Sequence, residues 1–149
     1  MICVGTTTLD QVLEIEEMPK QAIKIPALRH AKRGGGPAAT AAVACAVLDQ
    51  PAELWSRMGA DSESEFLRER LLHHGVGLSG TLFRSGADTV TAVVIVDRKG
   101  ERFIVGYGHG SLPRSPEPWR NRATGKVYST TVPAWAMAWA RREGRRSSG

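Results

Sequence analysis

The sequence lacks most of the features that mark secreted, metal-binding or membrane proteins. Its 149 residues include only two cysteines, Cys3 and Cys45, which show no C-x-x-C spacing, so neither a disulfide framework nor a cysteine metal site is expected. No apolar run approaches the roughly 18 residues that a membrane span needs, and no basic leader precedes a hydrophobic stretch after Met1. These absences predict a cytoplasmic protein with no membrane partner.

Two common nucleotide-binding motifs are also missing or out of place. No Walker A loop, G-x-x-x-x-G-K-[ST], occurs in the chain. Gly34-x-Gly36-x-x-Ala39 satisfies the loose dinucleotide pattern G-x-G-x-x-A, but that fingerprint needs a buried strand directly before its first glycine. The charged run Arg29-His30-Ala31-Lys32-Arg33 stands there instead, and we therefore reject dinucleotide binding.

Positive charge is concentrated near the C-terminal end. The formal net charge is +5, yet the segment from Arg114 onward has eight Lys or Arg and two Glu, together with three of the four tryptophans. Because the excess is confined to that end, it does not predict a nucleic-acid partner for the rest of the chain. The change near Pro113 predicts a folded part, residues 1–113, and an atypical basic tail, residues 114–149, which we interpret as out-of-frame translation or truncation.

Hydrophobic periodicity predicts alternating strands and helices. The predicted strands are 1–4, 9–15, 23–28, 53–58, 89–96 and 101–107. The predicted helices are 37–48 and a second one that begins within 61–65 and is closed by His73-His74-Gly75. This order is typical of a parallel sheet covered by helices, with the pieces within 9–28 and 89–107 in a separate small sheet. A turn at Asp97-Arg98-Lys99-Gly100 favours a hairpin, and the spacing of Ser62 and Glu65 favours a capping box.

Three consecutive glycines precede the first predicted helix. Gly34, Gly35 and Gly36 lead directly into Pro37. Glycine lets the backbone approach a ligand without interference from a Cβ atom, and a helix that begins at proline directs its free N–H groups at whatever lies before it. The pattern therefore predicts a binding site for a polar or anionic small molecule.

The fragment GGGPAATAAVACAVL, followed after a short gap by WSRMGAD, resembles the N-terminal signature of the ribokinase-like (PfkB) carbohydrate kinases. The GGGPAAT version is most similar to the sulfofructose kinase branch. The resemblance covers about residues 1–113. It implies an α/β fold with a Rossmann-like parallel sheet, helices and a small β-sheet lid over the sugar. It also implies ATP with Mg²⁺ and a homodimer formed through the lids.

The resemblance also implies roles for individual residues. Asp10 stands where the family has an acidic residue that binds sugar hydroxyls, and a carboxylate can accept hydrogen bonds from two hydroxyls at once. The backbone of Gly34, Gly35 and Gly36 would lie against the sugar. Many members have Asn in place of Ala39, so the identity of the sugar stays open.

Two charged residues have competing interpretations. Arg102, on the second hairpin strand, could bind an anionic group of the substrate, although an exposed charge on a strand is the commoner case. Asp61 matches the family's G-x-D segment at a strand end, but we favour its interpretation as a helix start.

The catalytic part of the family pattern is not found. The resemblance implies an aspartate base in a G-A-G-D motif, and no such motif follows residue 113. Phosphoryl transfer depends on positioning and on charge stabilisation of the γ-phosphate. We therefore predict a member of an ATP-dependent sugar kinase family with no catalytic, cofactor-binding or metal-binding residue in this chain, which by itself would be inactive. The alternative is a non-catalytic sugar-binding or interaction module.

Overall fold

The computed structural model describes residues 1–108 and 127–129. The strands are β1 (Ile2–Val4), β2 (Thr8–Ile15), β3 (Arg29–Gly35), β4 (Glu53–Trp55), β5 (Arg57–Gly59), β6 (Leu82–Arg84), β7 (Thr91–Asp97), β8 (Arg102–Tyr107) and β9 (Val127–Ser129), and the helices are α1 (Pro37–Val47) and α2 (Ser62–His73). No helix in the described part of the chain is long and apolar enough to cross a membrane. Except for β9, the predicted tail lies outside the described residues.

A three-stranded parallel sheet forms the centre of the fold. β1 pairs with β4 on one side and with β9 on the other. Helix α1 packs on this sheet through Ala38 and Ala42, which are fully buried with Cys3 and Leu54, because alanine lets the helix axis approach closely. The expected helix and parallel sheet are confirmed, and β9 adds residues of the predicted tail to the sheet.

A second, four-stranded sheet has the order β3-β2-β7-β8. β2 is parallel to β7 and antiparallel to β3, while β7 and β8 form an antiparallel hairpin. The hairpin turns at Asp97–Gly100, where Gly100 has φ 84° and glycine relieves the strain of a left-handed backbone. We call these four strands the lid sheet. β7 pairs with β2 and β8 and not with β1.

The structure corrects three strand predictions. Residues 23–28 form no strand, and β3 runs instead through the charged segment Arg29–Gly35. The predicted strand 53–58 is two strands, β4 and β5, which belong to different sheets. The sequence analysis did not predict β6, which pairs with β5.

Helix α2 begins where the sequence predicts, but with a different cap. Asp61 is the N-cap residue, and its carboxylate accepts a hydrogen bond from the backbone N–H of Ser64 at 2.9 Å. The Ser64 hydroxyl in turn accepts a hydrogen bond from the backbone N–H of Asp61, which completes a capping box. The predicted capping box of Ser62 and Glu65 is therefore wrong. The interpretation of Asp61 as a helix start is confirmed. The helix ends before Gly75, whose φ of 76° suits glycine.

The segment between β2 and β3, residues 16–28, crosses one face of the lid sheet, and we call it the strap. It encloses a largely apolar cavity of about 630 Å³ against residues such as Leu13, Ile95 and Phe103. The buried Asp97 fixes the start of the strap, since its carboxylate accepts the N–H of Met18 at 3.4 Å.

Candidate functional site

Asp10 and the glycine segment lie side by side at the base of the lid sheet. Asp10 is on β2, and Gly35 lies on the neighbouring strand β3, opposite Thr8. A Cβ atom added to Gly35 would collide with the carboxylate of Asp10 and lie 2.8 Å from the hydroxyl of Thr8. Only glycine at position 35 leaves enough room for the Asp10 carboxylate.

The carboxylate of Asp10 is held from one side. Its Oδ1 atom accepts a hydrogen bond from the Thr8 hydroxyl at 2.9 Å, and among residues 1–108 it makes no ion pair. The side chain is half-buried. Its remaining lone pairs can therefore accept hydrogen bonds from the hydroxyl groups of a ligand.

Gly36 turns the chain from the lid sheet into α1. It has φ 90° and is the N-cap residue of the helix, with Pro37 at the first helical position. Its own Cβ would meet the backbone of Thr6 and Thr7, so the turn from β1 and the turn into α1 touch. The free N–H groups of the first turn of α1 consequently lie next to the Asp10 region, where they favour an electronegative group.

The structure does not place Arg102 beside Asp10. Asp10 lies opposite Ala92 of β7, whereas Arg102 lies opposite Val96, four residues further along the same strand. At about 3.3 Å per residue this is about 13 Å along the strand direction, and Arg102 also lies two strands away from β2 across the sheet. Arg102 is instead at the far end of β8, where the chain borders the cavity beneath the strap.

Two neighbours of Asp10 were missed by the sequence analysis. Thr8 lies two residues before Asp10 on the same face of β2, and period-two alternation could have identified it. Arg33 lies directly opposite Asp10 on β3, so its side chain emerges on the same face of the sheet. Only the strand register identifies it.

Asp61 connects α2 to the segment that enters β7. Its carboxylate accepts hydrogen bonds from the Thr89 hydroxyl at 2.6 Å and from the Thr89 N–H at 2.7 Å. The buried Thr89 hydroxyl in turn accepts the N–H of Gly59 at 3.0 Å. Burial raises the pKa of Asp61, but the hydrogen bonds from Thr89 and Ser64 outweigh it and leave the pKa below its usual value. These contacts assign Asp61 a structural role.

Within residues 1–108, no group of three or more His, Cys, Asp or Glu side chains could hold a metal ion. The Asp10 carboxylate accepts its side-chain hydrogen bond from Thr8.

Among curated proteins, the chain is similar to the ribokinase of Arabidopsis thaliana, with 29% identity over 119 residues. That alignment covers 78% of this chain and 31% of the relative. Across three curated relatives, the chain spans between 22% and 39% of their length.

Solved structures give the same result. The structure of Arabidopsis thaliana ribokinase complexed with ribose and ATP matches with a TM-score of 0.62 and 29% identity, over 70% of this chain and 34% of that one. A ribokinase from Cryptococcus neoformans var. grubii serotype A, in complex with ADP, matches with a TM-score of 0.72 over 94% of this chain and 45% of that one. Its identity of 24% shows the fold alone. The predicted α/β ribokinase-like fold is confirmed.

The sequence profile of the pfkB family carbohydrate kinases matches residues 1–129. The match therefore continues beyond Pro113, where the sequence analysis ended the resemblance, and it includes β9, which the structure places beside β1. Neither the profile nor the relatives separate out the sulfofructose kinase branch. Because the profile covers most of the 149 residues and the solved relatives share the fold, the chain belongs to the pfkB family of carbohydrate kinases.

Proposed function

We propose that this chain carries the sugar-binding part of an ATP-dependent kinase that phosphorylates a hydroxyl of a sugar or sugar derivative. The observation that carries the proposal is the contact between Asp10 and Gly35, which leaves a half-buried carboxylate open beside a bare stretch of backbone. Family membership supplies the reaction class. The relative solved with ribose and ATP supports a sugar and a nucleotide as the two substrates.

In this proposal each residue of the site has a separate task. Asp10 accepts hydrogen bonds from two neighbouring hydroxyls of the sugar, and Thr8 holds the carboxylate in position. The backbone of Gly34, Gly35 and Gly36 forms the wall against which the sugar lies. The lid strands, within 9–28 and 89–107, extend the same sheet beyond that wall, and closure of the lid excludes water from the sugar.

We further propose that the binding of ATP and Mg²⁺ requires residues other than those that the structure describes. Arg102 keeps its proposed contact with an anionic substituent only if the substituent reaches along the lid sheet, since Arg102 lies more than about 13 Å from Asp10. The assignment of residues 114–149 to an atypical tail applies, on the family match, only beyond residue 129. By itself, the 149-residue chain would bind a sugar without phosphorylating it, which is also what the alternative of a non-catalytic binding module requires.

Calorimetric titration tests the sugar site directly. We expect ribose, fructose or sulfofructose to bind the wild-type chain, and Asp10→Asn to weaken that binding at least about tenfold, because an amide replaces one acceptor oxygen by a donor. Asp49→Asn is the matched control. Asp49 is exposed at φ 55°, a conformation that asparagine tolerates. Equal binding by wild type and Asp10→Asn would refute the assignment of the site.

A coupled ADP-release assay with the same sugars tests activity. We expect no turnover above that of Asp10→Asn. Turnover by the wild-type chain would show that it contains a catalytic base, and would exclude the binding-module alternative.

A further inference from the structure

The two cysteines, which are far apart in the sequence, come together between the central sheet and α1. Cys3 lies in the middle of β1, and Cys45 lies near the end of α1. Cys45 follows Ala38 and Ala42 at helical spacing, so it belongs to the face of α1 that packs on the sheet. It packs against the cluster that contains the buried Cys3. The sequence analysis did not expect a cysteine metal site because no C-x-x-C motif marks this pair.

A third sulfur atom lies beside the two thiols. Met1 stands two residues before Cys3, on the same side of the chain that enters β1, and its Sδ atom lies 3.1 Å from the Sγ atom of Cys45. Burial raises the pKa of the Cys3 thiol, and the neighbouring Cys45 thiol raises it further through its charge and a hydrogen bond. Cys45 is therefore the neighbour of both other sulfur atoms.

This group of sulfur atoms is open to solvent on one side. Cys3 is 2% exposed, whereas Met1 is 47% exposed and Cys45 is half-buried. Packing of a small apolar side chain accounts for the inner thiol. The contact between Met1 and Cys45 lies at the surface, where an ion can reach it.

The available donors are all soft. Thioether and thiolate sulfur favour Cu(I), whereas Zn²⁺ sites are completed by imidazole, carboxylate or additional thiolate ligands. In the described residues up to 108, no group of three His, Cys, Asp or Glu side chains could hold a metal ion. The donor set at this place therefore favours a soft monovalent ion over Zn²⁺.

We propose that Met1, Cys3 and Cys45 form a three-sulfur site for Cu(I). On binding, each cysteine releases its thiol proton and Met1 contributes a neutral thioether, so the centre has one net negative charge. With metal–sulfur bonds of about 2.3 Å, two sulfur ligands lie about 4 Å apart, and the exposed Met1 side chain has to move outward by only about 1 Å. The ion then links β1 to the helix that begins at the glycine segment. This site is independent of the proposed sugar site.

Competition with the chromogenic Cu(I) chelator bicinchoninate, without oxygen, tests the site in the full chain. We expect the chain to withdraw one Cu(I) ion, which about a tenfold excess of Zn²⁺ does not displace. Cys45→Ala and Met1→Leu should each weaken Cu(I) binding about tenfold or more, since each removes one sulfur ligand. Leucine has nearly the volume of methionine, and a cleavable N-terminal fusion allows residue 1 to be replaced. Met18→Leu, in the strap, is the matched control and should bind like wild type.

X-ray absorption at the copper edge then counts the ligands. We expect three sulfur neighbours at about 2.3 Å, and a rise in Tm on Cu(I) binding in the wild type but not in Cys45→Ala. Asp10→Asn should keep Cu(I) binding, which separates this test from that of the sugar site. The proposal is overturned if the chelator keeps the ion, if Zn²⁺ displaces it, or if Cys45→Ala or Met1→Leu binds like wild type. Fewer than three sulfur neighbours, or an unchanged Tm, would also overturn it.

Discussion

At the residue scale, Gly34 and Gly35 of the proposed sugar wall face opposite sides of β3 and have different surroundings. Gly35 has no room for a Cβ atom because of Asp10 and Thr8, while a Cβ on Gly34 would make an ordinary contact with Leu67. We therefore predict that Gly35→Ala abolishes sugar binding and lowers the free energy of unfolding by about 1 to 3 kcal/mol through overpacking. Gly34→Ala should change both far less. Calorimetry and urea denaturation measure the two effects, and equal behaviour of the variants would contradict the arrangement.

Asp61 is predicted to matter for stability and not for sugar binding. Asp61→Ala removes the N-cap of α2 and leaves the buried Thr89 hydroxyl without its acceptor. We expect a loss of about 2 to 4 kcal/mol in urea denaturation. Ser62→Ala is the matched control, because the exposed Ser62 is not the cap, and its effect should stay within about 0.5 kcal/mol. A larger loss of unfolding free energy for Ser62→Ala than for Asp61→Ala would support the capping box of Ser62 and Glu65 predicted from the sequence.

The same carboxylate predicts a dependence of stability on pH. Its pKa is below the usual value in the folded chain, so its contribution is complete above the unfolded pKa of about 3.9. The contribution is lost as the pH falls through the folded pKa, since the folded state then has to take up a proton. The difference in Tm between wild type and Asp61→Asn should therefore narrow below about pH 4. A constant difference down to pH 2 would be inconsistent with this titration.

Sequence reasoning located the residues whose role depends on local chemistry. Asp10, the three glycines and Asp61 were identified because a motif or a helix start marks them. Arg33 and Thr89 were not, because the position of Arg33 opposite Asp10 comes from strand register and the contact of Thr89 with Asp61 comes from the entry into β7. Nothing within a few residues of either position indicates these partners.

At the element scale, alternation predicted β2, β7 and β8 but not β3. Strand β3 is an edge strand, exposed along most of its length, and it forms because its backbone pairs with seven residues of β2. Pairing of this kind requires no apolar pattern. The strand predicted at 23–28 has isoleucines at suitable positions, but Pro26 removes a backbone donor there, and the segment becomes part of the strap.

The turn between β7 and β8 depends on one buried carboxylate. Asp97 accepts the N–H groups of Lys99 at 2.9 Å and of Glu101 at 3.0 Å, in addition to that of Met18 in the strap. We predict that Asp97→Ala lowers the free energy of unfolding by about 2 to 3 kcal/mol and speeds hydrogen exchange in both the turn and the strap. Arg98→Ala, which removes only an exposed ion pair with Glu16, should resemble wild type. Faster exchange in the turn alone would show that the strap is held by other contacts.

At the scale of the whole molecule, the order of elements predicted the α/β class, but the sequence did not predict where the central sheet ends. Strand β9 joins β1 across more than a hundred residues of chain, and charge and tryptophan content gave no sign of it. A change in charge or tryptophan content does not show whether a segment pairs with a distant strand. A parallel strand is defined by the neighbour with which it pairs. The family profile, which is sensitive to that longer pattern, includes residues 127–129.

The lid sheet has an apolar face that favours self-association. Residues i and i+2 of a strand share a face, so Ile104 of β8, opposite Val94, and Val12, also opposite Val94, lie on the face that carries Asp10. The strap and α2 pack on the other face. Ile104 is 57% exposed, and an exposed apolar strip of this kind is typical of a protein interface.

We therefore predict that the chain dimerises through the Asp10 face of its lid sheet, as the family resemblance implies. Ile104→Asp should convert the dimer to a monomer in analytical ultracentrifugation, because the contact would bury an unpaired carboxylate. Val105→Asp is the matched control: Val105 is exposed to a similar extent, 52%, but its side chain lies on the strap face. If Val105→Asp dissociates the dimer and Ile104→Asp does not, the interface lies on the strap face. If the wild-type chain is a monomer at all accessible concentrations, the lid sheet does not hold two copies together.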